Sequence, residues 1–256
     1  MKSLTIIKLG GSIITDKSKP YTANFKAIRQ LIKEIKKANL TCLVVHGAGS
    51  FAHTSAKKYG GKKGYNSLLG VTIVSRDAQA LNQIILEEFI KAKVPAITFR
   101  PNSMFSANEG KAATQHLIPL VIAINQGIIP IIYGDVIMDN QWKTTIFSGE
   151  TSTGHIVDFL IKNNFIVKKV VQVGRTDGVY GANGVTIPLI TEQNFQDHKK
   201  DIFQLKTADV TGGMMHKVEE ALKLGKKGLK TYIINGTKKN ALYNALIDQN
   251  FIGTKI

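Results

Sequence analysis

The sequence predicts a doubly wound α/β fold, a mainly parallel sheet with helices on both faces. Six segments read as continuous apolar runs: Leu4–Leu9, Thr41–Val45, Ala96–Phe99, Ile129–Tyr133, Lys169–Val173 and Thr231–Ile234. Runs without alternation belong to strands covered on both sides. Amphipathic stretches fall between them, and that order of strand and helix builds a parallel sheet with crossover helices. Several runs also empty into glycine turns at their C-terminal ends, where α/β proteins place anions.

Taken in order, Leu4–Leu9 opens the chain and turns at Lys8-Leu9-Gly10-Gly11-Ser12. Asn24 to Ala38 carries Phe25, Ile28, Leu31, Ile32 and Ile35, one apolar stripe of a helix. Thr41–Val45 then runs into His46-Gly47-Ala48-Gly49-Ser50-Phe51-Ala52-His53, at the start of a new helix. Ser67 to Lys91 reads as a long helix. Thr114 to Asn125 reads as another, followed by the strand Ile129–Tyr133. The apolar stretch Leu117 to Tyr133 is interrupted by Pro119, Asn125, Gln126, Gly127 and Pro130, so it is a helix, turn and strand and not a membrane span. Glu150 to Asn163 and Thr211 to Leu224 are the remaining helices, the latter opened by Asp209-Val210-Thr211-Gly212-Gly213-Met214. No linker, repeat or low-complexity segment divides the chain. One domain over 1–256 is expected, with an N-terminal lobe to about residue 165 and a C-terminal lobe from about 166 sharing one sheet.

The chain has 256 residues, 43% of them hydrophobic, which is ample for a core. Its formal net charge is +16, from 34 Lys and Arg against 18 Asp and Glu. That balance favours anionic partners. The lysines, however, are spread over amphipathic helices such as Lys26 to Lys37, with no basic stripe interleaved with aromatics. A solvated surface that helps attract a phosphorylated substrate is the better reading than a nucleic-acid module. The single Cys42 excludes an intramolecular disulfide and fits a reducing cytosol. Its apolar strand marks it as a buried structural thiol. The N-terminus enters a strand with no signal-peptide pattern, so a cytoplasmic location is expected.

Three glycine turns accompanied by lysines point to a site for several phosphates. Lys8 lies inside an apolar strand, where burying it without an anionic partner is costly. Lys217 follows the third turn by one helical turn and can fold back over the helix N-terminus. Lys17 lies in Lys17-Ser18-Lys19-Pro20, which reads equally well as an exposed turn. His53 follows Gly49 closely enough to touch the same anion, whereas His46 at the strand end is suited to bracing the loop. His116, His155, His198 and His216 show no metal-ligand spacing, and no metal-binding residues are assigned. Asp135 and Asp177 are open between capping turns and binding nucleotide or lysines. Asp209 is open between capping a helix and lying at the nucleotide.

An ordered set of motifs, spread nearly end to end, resembles the amino acid kinase superfamily. It comprises Lys8-Leu9-Gly10-Gly11-Ser12, Gly134-Asp135-Val136, Ser148-Gly149-Glu150, Thr176-Asp177-Gly178-Val179-Tyr180 and Thr211-Gly212-Gly213-Met214 with Lys217. Ile14-Thr15-Asp16-Lys17 and the loop from His46 to His53 are similar to the isopentenyl phosphate kinase branch. Four residues depart from the pattern: Ala48 and Ala52 stand where glycines are usual, Glu150 where aspartate follows Ser-Gly, and Arg175 where aspartate often precedes the Asp-Gly-Val-Tyr stretch.

The resemblance implies a cytoplasmic phosphotransferase that uses ATP and Mg²⁺ to convert isopentenyl phosphate to the diphosphate, acting as a homodimer without membrane or nucleic acid. It implies catalytic roles for Lys8, Lys17, His53 and Lys217. Lys8, Gly10, Gly11, Ser12, Gly49, Asp177, Gly213 and Lys217 would hold ATP, and Ala48, His53 and Gly149 the acceptor phosphate. The Ser67–Lys91 helix, with Ile73, Leu81, Ile84, Ile85, Leu86 and Phe89, is the expected wall for the hydrocarbon tail. The alternatives are a kinase for another small phosphate or phosphonate, fosfomycin-kinase-like, and a non-catalytic nucleotide-binding protein on the same scaffold.

Overall fold

The structure is a computed structural model and describes residues 2–61, 64–65, 67–204 and 213–256. β1 (Lys2–Leu9) leads into one helical turn, α1 (Gly11–Ile14), and then into α2 (Phe25–Ala38), whose N-cap Asn24 accepts from the Ala27 amide. β2 (Cys42–His46) feeds α3 (Gly49–Tyr59). A small ribbon, β3 (Gly60–Gly61) with β4 (Gly64–Tyr65), precedes the long α4 (Leu68–Lys91), capped by Ser67. Next come β5 (Ala96–Thr98), α5 (Pro101–Met104), the hairpin β6 (Phe105–Asn108) and β7 (Lys111–Gln115), α6 (Ile118–Asn125) and β8 (Ile129–Tyr133). A second hairpin, β9 (Asp135–Asp139) and β10 (Lys143–Phe147), is followed by α7 (Gly149–Lys162) and β11 (Phe165–Gly174). The chain finishes with β12 (Val179–Tyr180), β13 (Thr186–Ile187), α8 (Phe195–Gln204), α9 (Gly213–Gly225), β14 (Lys230–Asn235), α10 (Ala241–Leu246) and β15 (Gly253–Lys255).

Seven strands form the main sheet in the order β15-β14-β11-β1-β2-β8-β5, drawn from both halves of the chain. All neighbours are parallel except the edge pair β14–β15. Side chains alternate between the two faces with period two. Ile7, Leu9, Val44, Val171 and Val173 pack on one face with α2, α4 and α10. Leu4, Ile6, Leu43, Val45 and Val170 pack on the other with α6 and α7. Lys8 continues the Leu4–Ile6 row, so it points beneath α7 in the middle of the sheet, where 4% of it is exposed. Gln172 of β11 is its register partner and follows Val170 onto the same face.

Some sequence expectations need correction. The helix expected over Thr114 to Asn125 begins only at Ile118. Thr114 pairs with Ser106 in the β6–β7 hairpin, and Pro119 sits in the first helical turn, where its missing amide is harmless. A separate four-stranded sheet, β10-β9-β6-β7, lay unrecognised in the polar middle of the chain. Asp139 holds it together by accepting the amides of Glu109, Gly110, Gln141 and Trp142 at 2.7–3.1 Å. The strand at Lys169–Val173 extends from Phe165 to Gly174. Lys169 is buried within it because its ammonium donates to the Ala245 carbonyl (2.8 Å) and to Asp248 (2.6 Å). Of the turn expected at Asp209 to Met214, residues Asp209 to Gly212 lie outside the described residues, and α9 is described from Gly213.

Candidate active site

The loops that end β1 and β2 lie against each other, main chain to main chain. The Gly47 amide donates to the Leu9 carbonyl at 3.0 Å, while on the other side the Gly10 amide donates to the Val173 carbonyl of β11 at 2.8 Å. A Cβ on Gly11 would fall 2.7 Å from the Gly49 backbone, so neither turn accepts a larger residue there without moving apart. Gly49 also has φ +53, with the Thr15 side chain where its Cβ would be. Thr15 is the fastener: its hydroxyl donates to the Gly11 carbonyl (2.6 Å) and accepts from the Ser50 amide (3.0 Å). The Ile-Thr-Asp-Lys motif therefore carries a structural residue that sequence reading passed over in favour of Lys17. The N-cap of α3, Ala48, supplies no side-chain acceptor to the first turn, which suits that helix end to an anion. His53 lies one turn further along α3 with its side chain exposed.

Lys8 forms a buried ion pair with Glu150, in the first turn of α7. Burial works against the Glu150 charge, but Lys8 beside it, helped by the field of Lys217, holds its carboxyl down at about 2. Gly149 is the cradle for this pair. A Cβ there would lie 3.1 Å from Val45, 3.3 Å from the His46 carbonyl and 3.6 Å from Lys8 Cε. The Gln172 side-chain oxygen, buried next to Lys8, has no hydrogen-bond partner.

Beside the pair opens a cavity of about 230 Å³. Lys8, Lys17, Arg175 and Lys217 line it, together with Gly10, Ser12, Gln172, Gly174 and Thr176, and Val173, Met214 and Ile233 supply its apolar surface. No carboxylate is among these residues. Four cations line it, Lys8 among them paired with Glu150, and that excess of positive charge suits a polyanion. Lys8, Lys17, Lys217, Gly10 and Ser12 were expected from sequence. Gln172 was not, and its only sequence signal is a polar residue in an apolar run.

Other expected residues sit around the cavity rather than in its lining. Gly11 and Gly49 build the two abutting turns, and Gly213 begins α9, which carries Lys217. Ala48 and His53 lie on the α3 side. Asp177 is used to tie strand ends: one oxygen accepts from Asn235 (2.9 Å) and the other from Lys238 (2.7 Å). The Lys238 hydrogen bond, with that of Asn235, lowers its pKa despite partial burial. His46 braces its loop as expected. It is fully buried, stacks on Tyr133, and its ring nitrogens meet the Gly47 carbonyl (3.0 Å) and Asn82 (3.2 Å). Burial pushes its pKa down to about 4, so it is neutral in use. Cys42 is buried and its thiol is pushed up to about 12.

Three residues of the expected apolar wall belong to the core instead. Leu81, Ile85 and Phe89 are fully buried in the core beneath α2, because they lie on the sheet-facing stripe of α4. The α4 face toward α3 carries Val71, Val74 and Ala78. With Ala48, Ala52, Ala56, Tyr65, Tyr133 and Val136 they form a separate apolar cluster beside the β2 loop. Asp135 borders it, bonded to the Val136 amide (2.7 Å) and Ser75 (3.3 Å), and burial pushes its carboxyl up to about 7.

Comparison with known proteins gives the family and the fold. Residues 3–235 match the amino acid kinase family. Isopentenyl phosphate kinase of Thermoplasma acidophilum is 31% identical over 99% of this chain and all of its own length. The enzyme of that name from Methanothermobacter thermautotrophicus is 28% identical over 99% and 98%. A crystal structure described as an isopentenyl phosphate kinase substrate complex superposes with a TM-score of 0.78 at 27% identity, over 98% of this chain and 99% of its own. The chain is a member of the amino acid kinase family, a phosphotransferase in the group of the isopentenyl phosphate kinases.

Proposed function

We propose that this enzyme transfers the terminal phosphoryl group of ATP to isopentenyl phosphate, with Lys8, Lys17, Lys217 and His53 carrying the transfer. The observation that supports this most directly is the cavity lined by Lys8, Lys17, Arg175 and Lys217, beside the β1 turn that abuts Gly49. The acceptor's phosphate oxygen is ionised at neutral pH and attacks without a strong general base. The enzyme's task is to bring two anions together and offset their repulsion. Lys8 and Lys217 face the transferring group, and Lys17 reaches it from the loop before α2. Gly10, Gly11, Ser12, Gly49 and Gly213 shape the ATP side, and Asp177 acts there through the strand ends it ties. His53 and the Ala48 and Gly149 amides hold the acceptor phosphate. The apolar cluster around Val74, Ala52 and Tyr133 receives the hydrocarbon tail.

Among the described residues no group of three His, Cys, Asp or Glu is placed to hold a metal, and Glu150 is engaged by Lys8. Mg²⁺ would be carried on the nucleotide's own phosphates, where it would supply charge neutralisation. The segment up to about 165 acts as the acceptor lobe and the remainder as the nucleotide lobe. The single buried Cys42 suits a cytoplasmic enzyme. Half-exposed Ile97 on the edge strand β5, like half-exposed Ile118 and Ile122 of α6, is an apolar residue that suits a homodimer contact. The test is competition among isopentenyl phosphate, uridylate and fosfomycin at equal concentration. Isopentenyl phosphate should dominate, because each buried CH₂ contributes roughly 0.8 kcal/mol and polar groups would go unpaired against the same surface. Faster turnover of either rival overturns the isoprenoid assignment.

A further inference from the structure

We propose that Arg175 is a donor-binding residue of this kinase, its guanidinium gripping a phosphate of the nucleotide across the cavity that Lys8, Lys17 and Lys217 line. The proposal rests on the ATP-dependent reading above and adds a residue where the motif resemblance leads one to expect aspartate. Arg175 follows Gly174, the last residue of β11, and lines the cavity with its side chain exposed.

The nearby acids are committed elsewhere. Glu150 pairs with Lys8, and Asp177 with Lys238 and Asn235. Asp16 feels the charge of Arg175, yet its carboxylate accepts the amide (3.0 Å) and hydroxyl (2.7 Å) of Ser18. Among the described residues no carboxylate pairs with the guanidinium. Arg175 adds a guanidinium to a lining that already holds Lys8, Lys17 and Lys217. A polyphosphate supplies the counter-charge this guanidinium lacks among the described residues, whereas a base or ribose does not. The planar fork of donors matches phosphate oxygens two at a time, which a lysine cannot do. An exposed arginine at a cavity mouth is free to close on a ligand that arrives later.

The experiment is Arg175→Ala and Arg175→Lys in the full chain, with thermal unfolding to confirm the fold. ATP and isopentenyl phosphate are each varied in steady state, and ATP binding is measured separately by calorimetry. Loss of a charge-assisted contact to phosphate should raise the KM and Kd for ATP by about ten- to a hundredfold in Arg175→Ala. Arg175→Lys should recover part of that, and the KM for isopentenyl phosphate should stay within about twofold. ATP affinity within about twofold of wild type in Arg175→Ala overturns the proposal, as does a fall in kcat alone. Wild-type protein that binds ATP but phosphorylates no monophosphate would sink the kinase reading instead. The calorimetric comparison would still decide the role of Arg175.

Discussion

Replacing Glu150 by Gln keeps the shape of the side chain and removes its charge, which tests whether the Lys8–Glu150 pair anchors the middle of the site. Lys8 is 4% exposed at the centre of the sheet, so its ammonium depends on a local counter-charge. The fall of the Glu150 carboxyl from an ordinary 4.5 to about 2 corresponds to about 3 kcal/mol of preference for the ionised form. Breaking a buried pair by removing one partner costs a similar amount, about 3–5 kcal/mol. At pH 7 the ligand-free variant should therefore be less stable by about 3 kcal/mol, a melting temperature lower by about 6–12 °C for a chain of this length. The sign with pH follows from the depressed value. The contribution is complete above the unfolded carboxyl's 4.5 and disappears as pH falls through about 2. Urea unfolding of both proteins between pH 7 and pH 2.5 should show the gap closing only in that acidic window. Equal stability at pH 7, or a gap that does not change with pH, would refute the reasoning.

Two more outcomes are expected. His53→Ala should raise the KM for isopentenyl phosphate and lower kcat/KM for it by about ten- to a hundredfold, one hydrogen bond to a charged group, while the KM for ATP stays constant. An unchanged acceptor KM places His53 outside the acceptor site. Asp139→Asn should destabilise the protein by about 1.5–3 kcal/mol, because one carboxylate serves four backbone amides that tie the β6–β7 and β9–β10 hairpins together. Hydrogen exchange should localise the loss to those hairpins, and uniform loosening of the main sheet would contradict this placement.

Much of the architecture was legible because burial on both faces leaves a simple mark. The continuous runs at Leu4–Leu9, Thr41–Val45 and Ile129–Tyr133 are three of the parallel strands, and Asn24 and Ser67 cap helices close to where the pattern starts them. The four-stranded sheet was hidden because largely exposed strands such as Lys111–Gln115 have neither an apolar run nor a strict alternation. Its anchor, Asp139, is a single acid with no motif around it. The apolar side of α4 was misplaced for a related reason. The helix is apolar around much of its circumference, so composition could not say that Leu81, Ile85 and Phe89 face the core while Val71, Val74 and Ala78 face α3.

From the sequence alone came the order of the main parallel strands and the helices between them, the first two glycine turns and the lysines near the site, since local pattern and residue type determine those features. Only the tertiary structure decided what these groups do to one another. Parallel register sets Gln172 beside Lys8, and α7 brings Glu150 back from 142 positions away to pair with that lysine. The Thr15 hydroxyl joins two loops 35 positions apart. Arg175 shares a cavity with Lys17 and Lys217 because β11 ends beside β1. Charge compensation depends on distance and burial, and those quantities exist only once residues remote in the chain are packed together.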